Sequence, residues 1–185
     1  KEVYRESILI PCNWNVTAEA FLEFYHFKQI HSNKEGCATL DSRRAAMGLY
    51  AGGHSRMITG YSDQHVNLTG MQAWDDWKPL DNGDFKTMES TSQEYLDMLD
   101  CTSTAVSYFP NTIIPLGSFG YPVLLFWPIN IETTLLEWWY YGPDDWEGNA
   151  IPEHWQKRAK QFDQIMDEDK YNMAPMWESL KSPAL

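Results

Sequence analysis

Cysteine is scarce in this chain of 185 residues: Cys12, Cys37 and Cys101 are odd in number, far apart and in no CxxC or CxxH pair. That excludes a disulfide framework and a zinc ribbon, and it fits a reducing, cytoplasmic setting. Cationic residues are also few, with 14 Lys and Arg against 26 Asp and Glu and a net charge of -12. Such a surface repels phosphate backbones and anionic lipid alike, so neither nucleic acid nor a membrane is expected as a partner. Long apolar runs are missing as well. The longest, Tyr121 to Ile129, has nine residues, two of them prolines, against the ~20 that a bilayer-spanning helix needs. There is no internal repeat and no low-complexity tract, so residues 1–185 read as one continuous domain. The opening KEVYRESILIPCNW begins with Lys and lacks the charged, apolar and small-residue succession of a signal peptide. The expectation from this opening is an internal or C-terminal piece of a longer protein.

What the chain does have is aromatic bulk, with 9 Trp, 10 Tyr and 8 Phe within a 43% hydrophobic composition, enough to offset the entropy of folding. VTAEAFLEFYHF, from Val16 to about Phe27, has no Gly or Pro and is rich in helix formers, which predicts a helix. Gly36, Gly48, Gly52 and Gly53 predict a turn-rich connection after it, and Ser55 to Tyr61 a short strand. Met71 to Asp84 reads as loop and Ser92 to Asp100 as a short helix. From AVSYFPNTIIPLG onward the chain is dense in Val, Ile, Thr, Tyr and Trp, and two strands hinged near Asn130 to Thr133 are predicted. Prolines 110, 115, 122 and 128 lack the ladder donor and belong at edges, bulges or strand ends. A long helix follows Pro152, with Trp155, Ala159, Phe162, Met166 and Met173 along one face. Helix, loops, antiparallel strands and a closing helix make an α+β domain.

The gap in that apolar stripe falls on Asp169, three residues after Met166 and four before Met173. An ionised carboxylate there must be neutralised, hydrogen-bonded, paired or bound to a metal, because burying it bare is costly. The alternative is that the last turn frays and Asp169 reaches water among Asp167, Glu168 and Lys170. In the first helix, Glu19, Glu23 and His26 are spaced four and three, and His31 follows five residues beyond His26. Five residues turn a continuous helix by about 500°, leaving the two imidazoles about 140° apart. Both reach one ion only if the helix ends or bends between them. Two imidazoles and one carboxylate with open positions are the donor set of non-haem Fe(II) sites that activate dioxygen. A solvated helix face explains the same spacing without any metal.

These segments resemble a known family. The run CNWNVTAEAFLEFYHFKQIH, Cys12 to His31, resembles the iron-binding segment of the catalytic domain of Rieske non-haem iron oxygenases, the α subunits of aromatic-ring-hydroxylating dioxygenases. Asn13-Trp14 matches the family's Asn-Trp pair, Glu19 its early carboxylate, Glu23 its acidic bridge, and His26 and His31 its histidine ligands. In FDQIMDEDKYNMAPMWESLKSPAL, Glu168-Asp169 matches the segment whose Asp is the third ligand. The resemblance implies a START-like helix-grip domain, a curved antiparallel sheet wrapped around a long C-terminal helix. It implies Fe(II) held by His26, His31 and Asp169, O2 and an apolar small molecule as substrates, and Glu23 as the link to a neighbouring subunit's cluster. Ala20, Phe21, Phe27 and Ile165 are the residues best placed to line the substrate pocket. Electrons would come from ferredoxin and reductase through a Rieske [2Fe-2S] cluster. The assembly implied is a homotrimer, with or without small β subunits.

Two departures from the family pattern concern the bridge and the gate: Glu23 stands where Asp is usual, and Ala20 where many members carry Asn. A third is that no cysteine begins the CxH or CxxH pair that a Rieske cluster needs, so either the cluster belongs to a missing domain or a neighbouring subunit, with no turnover expected from this chain alone, or the protein is a degenerate relative without redox function. Two rival readings remain at this point. A metal-free carrier of apolar ligands predicts that His26, His31 and Asp169 do not converge. A metal-dependent hydrolase predicts activity without an electron donor. His54 in AGGHSRM is either a pocket-mouth or a structural residue, and His65 and His154 carry no functional expectation.

Overall fold

The computed structural model describes residues 1–31, 40–61, 102–116, 121–142, 144 and 146–183. Along them run β1 (Glu2–Ile10), α1 (Trp14–Ala20), α2 (Phe27–Ile30), β2 (Leu40–Leu49), β3 (Ser55–Tyr61), β4 (Thr102–Tyr108), β5 (Thr112–Leu116), β6 (Tyr121–Asn130), β7 (Thr133–Tyr141) and α3 (Glu153–Leu180). Cys37, Cys101, His65, Gly36, the predicted loop from Met71 to Asp84 and the predicted helix from Ser92 to Asp100 lie outside the described residues.

The strands form one antiparallel sheet in the order β1-β7-β6-β5-β4-β3-β2. β7 shows why it forms. In TTLLEWWYY the residues Thr134, Leu136, Trp138 and Tyr140 are buried and the ones between are half-exposed, the period-two pattern of a strand with one face on the core. Pro122, Leu124 and Phe126 of β6 are buried in the same way. A two-residue turn joins β6 to β7, where Asn130 Oδ1 accepts the Glu132 N–H at 2.8 Å. This is the predicted hinge. The prolines sit where a ladder donor is not needed: Pro110 in the β4–β5 turn, Pro115 beyond the last β5–β6 pair, Ile113 with Leu124, and Pro128 beside the irregularity in the β6–β7 register.

α3 lies on the sheet by the stripe that its sequence marks out. Trp155, Ala159, Phe162, Met166 and Met173 are all buried, and Tyr140 meets Phe162 with ring centroids 6.0 Å apart. Trp155 reaches the end of β7 because Gly142 has no side chain; a Cβ there would stand 3.0 Å from the indole. The result is the expected α+β helix-grip arrangement. Asp169, in the gap of the stripe, is 6% exposed, and α3 runs on to Leu180. The fraying alternative therefore does not hold.

Three differences from the sequence reading matter. EVYRESILI, for which no strand was expected, is β1 and pairs with β7, placing Ile10 in the core directly before the site. Gly48, read as a turn residue, lies inside β2. The helix predicted from Val16 to Phe27 stops at Ala20, where the Phe21 and Leu22 N–H groups turn back to Ala18 and Glu19. The cause of this break is local. Glu23 Oε2 accepts the backbone N–H of Tyr25 and, at 3.3 Å, that of His26, and a side-chain acceptor of this kind competes with the helical ladder.

Candidate metal centre

The strand-to-helix entry is built by Asn13. Its Oδ1 accepts the Asn15 N–H at 3.0 Å, capping α1, and its Nδ2 donates to the Ile131 carbonyl at the β6–β7 turn. Thr134 Oγ1 donates to the Cys12 carbonyl at 2.8 Å. The segment that carries the histidines is thus tied to the hairpin under it.

After the break at Phe21 the chain restarts as the four-residue α2, with His26 before its first residue and His31 after its last. The two rings meet at 5.3 Å between centroids with an interplanar angle of 72°. Opposite them stands Asp169 of α3. Its Oδ1 is 3.1 Å from His31 Nε2 and 3.6 Å from His26 Nε2. One ligand atom from each of the three residues lies within 4.8 Å of the others. His31 is 1% exposed, Asp169 8% and His26 14% by side chain.

Each imidazole is held from behind by a glutamate. Glu23 Oε1 lies on His26 Nδ1, three residues away in the same loop. Glu168 Oε2 lies 2.7 Å from His31 Nδ1 and comes from α3. Burial alone would raise the Glu23 carboxyl, but His26 and the two backbone N–H groups outweigh it and hold that carboxyl below its ordinary range. For His31, burial works to lower the imidazole, while the Asp169 and Glu168 carboxylates more than reverse this and raise it. His31 Nε2 is buried and, although 3.1 Å from Asp169 Oδ1, is not aligned for a hydrogen bond with it. A bare ring nitrogen beside a carboxylate and a second imidazole suits a divalent cation, since buried polar atoms otherwise find a partner.

Aromatic rings close the site on one side. Phe27 stands edge-on to His26 and His31, at 4.7 and 5.1 Å between centroids, and to the buried Phe24 at 5.0 Å. Phe21 lies 5.4 Å from Phe126 of β6. Ala20, Phe21, Phe27 and Ile165 are half-buried. Of the other sequence candidates, Glu19 is exposed and does not join the group. His54 Nδ1 accepts the Phe109 N–H at 3.1 Å, a structural contact between two sheet connections, and His154 is exposed. Two contributors escaped the sequence reading. Phe24 could have been found from the spacing of three among Phe21, Phe24 and Phe27, whereas Glu168 entered the sequence reading only as the neighbour of Asp169, with nothing to mark it as a partner of His31.

The whole chain, residues 1–185, matches the family model described as ring hydroxylating alpha subunit (catalytic domain). No curated protein is similar to it in sequence. Similar solved structures include a quaternary ammonium Rieske monooxygenase, CntA, in complex with L-carnitine, at 14% identity and a TM-score of 0.65, covering 100% of this chain and 40% of that one. Another structure of that enzyme, at 16% identity and a TM-score of 0.65, is described in terms of carnitine oxidation and inter-subunit electron transfer. Naphthalene 1,2-dioxygenase from Rhodococcus sp., bound to indole, is similar at 14% identity and a TM-score of 0.64, over 97% of this chain and 44% of that one. The chain thus spans well under half the length of these solved relatives.

Proposed function

Because the chain belongs to the ring hydroxylating alpha subunit family as its catalytic domain, we propose that it is the oxygenase part of a Rieske-type enzyme, with a mononuclear Fe(II) site made by His26, His31 and Asp169. The observation that carries this is the convergence of the three residues, with ligand atoms within 4.8 Å of one another and His31 Nε2 buried without a hydrogen bond. A carrier that ignored these residues would have no reason to bring them together. Family membership weighs against a zinc hydrolase.

Bound Fe(II) supplies activation of O2 for insertion into an aromatic or other apolar substrate, with electrons from a Rieske [2Fe-2S] cluster. The chain's own residues do the rest. Glu23 and Glu168 aim the imidazoles by accepting at Nδ1, which leaves each Nε2 lone pair for the ion. Phe24 and Phe27 keep water from the buried side of the histidines. Ala20, Phe21, Phe27 and Ile165 line the pocket that orients an apolar substrate. The side chain of Glu23 is 35% exposed, and Oε1, which meets only His26 Nδ1, has a second lone pair that can accept a hydrogen bond from a neighbouring subunit. In this reading it links the iron site to the neighbour's cluster. The cluster sits on a further domain or on that neighbour, in a homotrimer fed by ferredoxin and reductase in the cytoplasm, with or without β subunits. No helix among the described residues is long and apolar enough to cross a membrane.

The test is iron content after anaerobic Fe(II) loading of wild type and His26→Ala, with zinc loading as control. About one tightly held iron per wild-type chain, lost in the variant, is the expected result. Wild type at the variant's background would overturn the metal site.

A further inference from the structure

Glu168 is adjacent to the third ligand, and the family pattern gives it no task. We propose that Glu168 is a positioning residue that fixes the tautomer and ring orientation of His31, so that Nε2 stands ready for a metal ion before one arrives. The inference rests on the metal-site reading above and deepens it.

The geometry is specific. Glu168 and Asp169 are consecutive on α3 and therefore point about 100° apart around its axis, which lets them straddle a single imidazole. Glu168 Oε2 is 2.7 Å from Nδ1 and Asp169 Oδ1 is 3.1 Å from Nε2. Both carboxylates are acceptors only, and what separates them is geometry: Glu168 makes a hydrogen bond with Nδ1 whereas Nε2, though near Asp169, makes none, so in the neutral ring the proton belongs on Nδ1 and the lone pair on Nε2. The His31 side chain is 1% exposed, so water has little chance to hold the other tautomer in place. Phe27 meets the ring edge-on at 5.1 Å and offers no competing acceptor.

Glu168 also differs from Glu23 in what it connects. Glu23 orients His26 from within the same loop, and the pair moves as one piece. Glu168 belongs to the helix that carries Asp169 and reaches across to a histidine 137 positions earlier in the chain. One side chain therefore joins the two halves of the site. Without it, His31 Nδ1, the ring nitrogen turned away from Asp169, loses its carboxylate partner.

Three variants of the full chain separate the hydrogen bond from the charge and from side-chain reach. Glu168→Gln keeps the length and an accepting oxygen, Glu168→Asp keeps the charge but falls a methylene short, and Glu168→Ala loses both. Two measurements are made: anaerobic Co(II) and Fe(II) titration, and long-range proton–nitrogen NMR of His31 in metal-free protein above the imidazole titration. We expect Glu168→Gln to keep the proton on Nδ1 and bind metal within a few-fold of wild type. Glu168→Asp and Glu168→Ala should lose the tautomer preference and bind about 10–100-fold more weakly. Wild-type tautomer and affinity in Glu168→Ala would overturn the inference. So would the reverse order, with Asp equal to wild type and Gln weak, since charge rather than the hydrogen bond would then be at work. If Glu168→Ala does not fold, the Gln and Asp pair still decides. A wild type that binds neither metal sinks the site reading instead, and the metal-free tautomer comparison then decides the inference alone.

Discussion

His26 and His31 stand at the two ends of one four-residue helix, and their rings meet at 5.3 Å. On an unbroken helix the same spacing would hold them about 140° apart. The break after Ala20 and the short restart at Phe27 are thus what turn two histidines five residues apart into a facing pair, closed from the third side by Asp169.

Removing that third side gives the first prediction. Asp169→Ala deletes a carboxylate that is 6% exposed in the middle of a long helix and replaces it with the best helix former. The fold should survive, judged by circular dichroism and a cooperative melt, while iron after anaerobic loading falls to background. Iron retained at wild-type affinity would remove Asp169 from the site.

Glu23 offers a change that leaves the metal and touches only the link. Glu23→Gln keeps one accepting oxygen, enough to hold His26 Nδ1 but not also the Tyr25 and His26 N–H groups, so the ring orientation should persist while the turn loosens. Iron content is expected near one per chain. In a protein that also carries a Rieske domain, single-turnover product formation should slow by 10-fold or more, on the order of one misplaced charged hydrogen bond. An unchanged single-turnover rate would confine Glu23 to holding His26.

The parts legible in the sequence were those governed by periodicity. The stripe from Trp155 to Met173 and its interruption at Asp169 foretold a helix on a sheet with a carboxylate facing inward, and the β-branched and aromatic density around Asn130 foretold the β6–β7 hairpin. The resemblance of Cys12 to His31 and of Glu168-Asp169 to the oxygenase family joined the two segments. What stayed hidden depended on tertiary context. Glu23 breaks α1 by capturing backbone N–H groups, against a segment whose propensities favour continuing the helix. β1 reads as mixed polar and apolar because its inner positions, Tyr4 and Glu6 among them, face a partly polar layer under α3. Glu168 is invisible because its partner His31 lies 137 positions away.

Core packing and the site are joined through Phe126, which is 0% exposed and meets Phe21 at 5.4 Å. Phe21 caps the end of α1, so it sets where the loop to His26 begins. Phe126→Ala should cost about 3–5 kcal/mol and lower Tm by on the order of 10 °C. Because the cavity opens beneath the loop, iron affinity should weaken as well, whereas Leu40→Ala, a smaller truncation on the far strands that costs about 2–5 kcal/mol, should lower Tm and spare iron binding. Calorimetry paired with iron titration distinguishes the two. Equal loss of iron in both variants would show that the site follows global stability only.

The last prediction concerns pH and a group away from the candidate metal site. Asp163 of α3 is pushed up to about 6, first by burial and then by Glu6, with Asp167 adding to the effect and Lys170 opposing it. The Tyr4 hydroxyl donates to Glu6 at 2.8 Å, so Glu6 keeps its acceptor role and Asp163 bears the repulsion. An acid whose folded value lies above its unfolded one binds more protons when folded, so its contribution to stability falls as pH rises from about 4 to about 6. Above that window the ionised Asp163 is a standing cost. Asp163→Asn removes the charge and leaves Lys170 its closer partner, Asp167 at 2.6 Å. Urea unfolding should show the variant more stable than wild type by about 1–2 kcal/mol at pH 8, with the difference shrinking through the window and approaching zero only below about pH 3, where Asp163 is protonated in both states. A variant less stable than wild type at pH 8 would mean that the Lys170 contact at 3.9 Å outweighs the repulsion from Glu6.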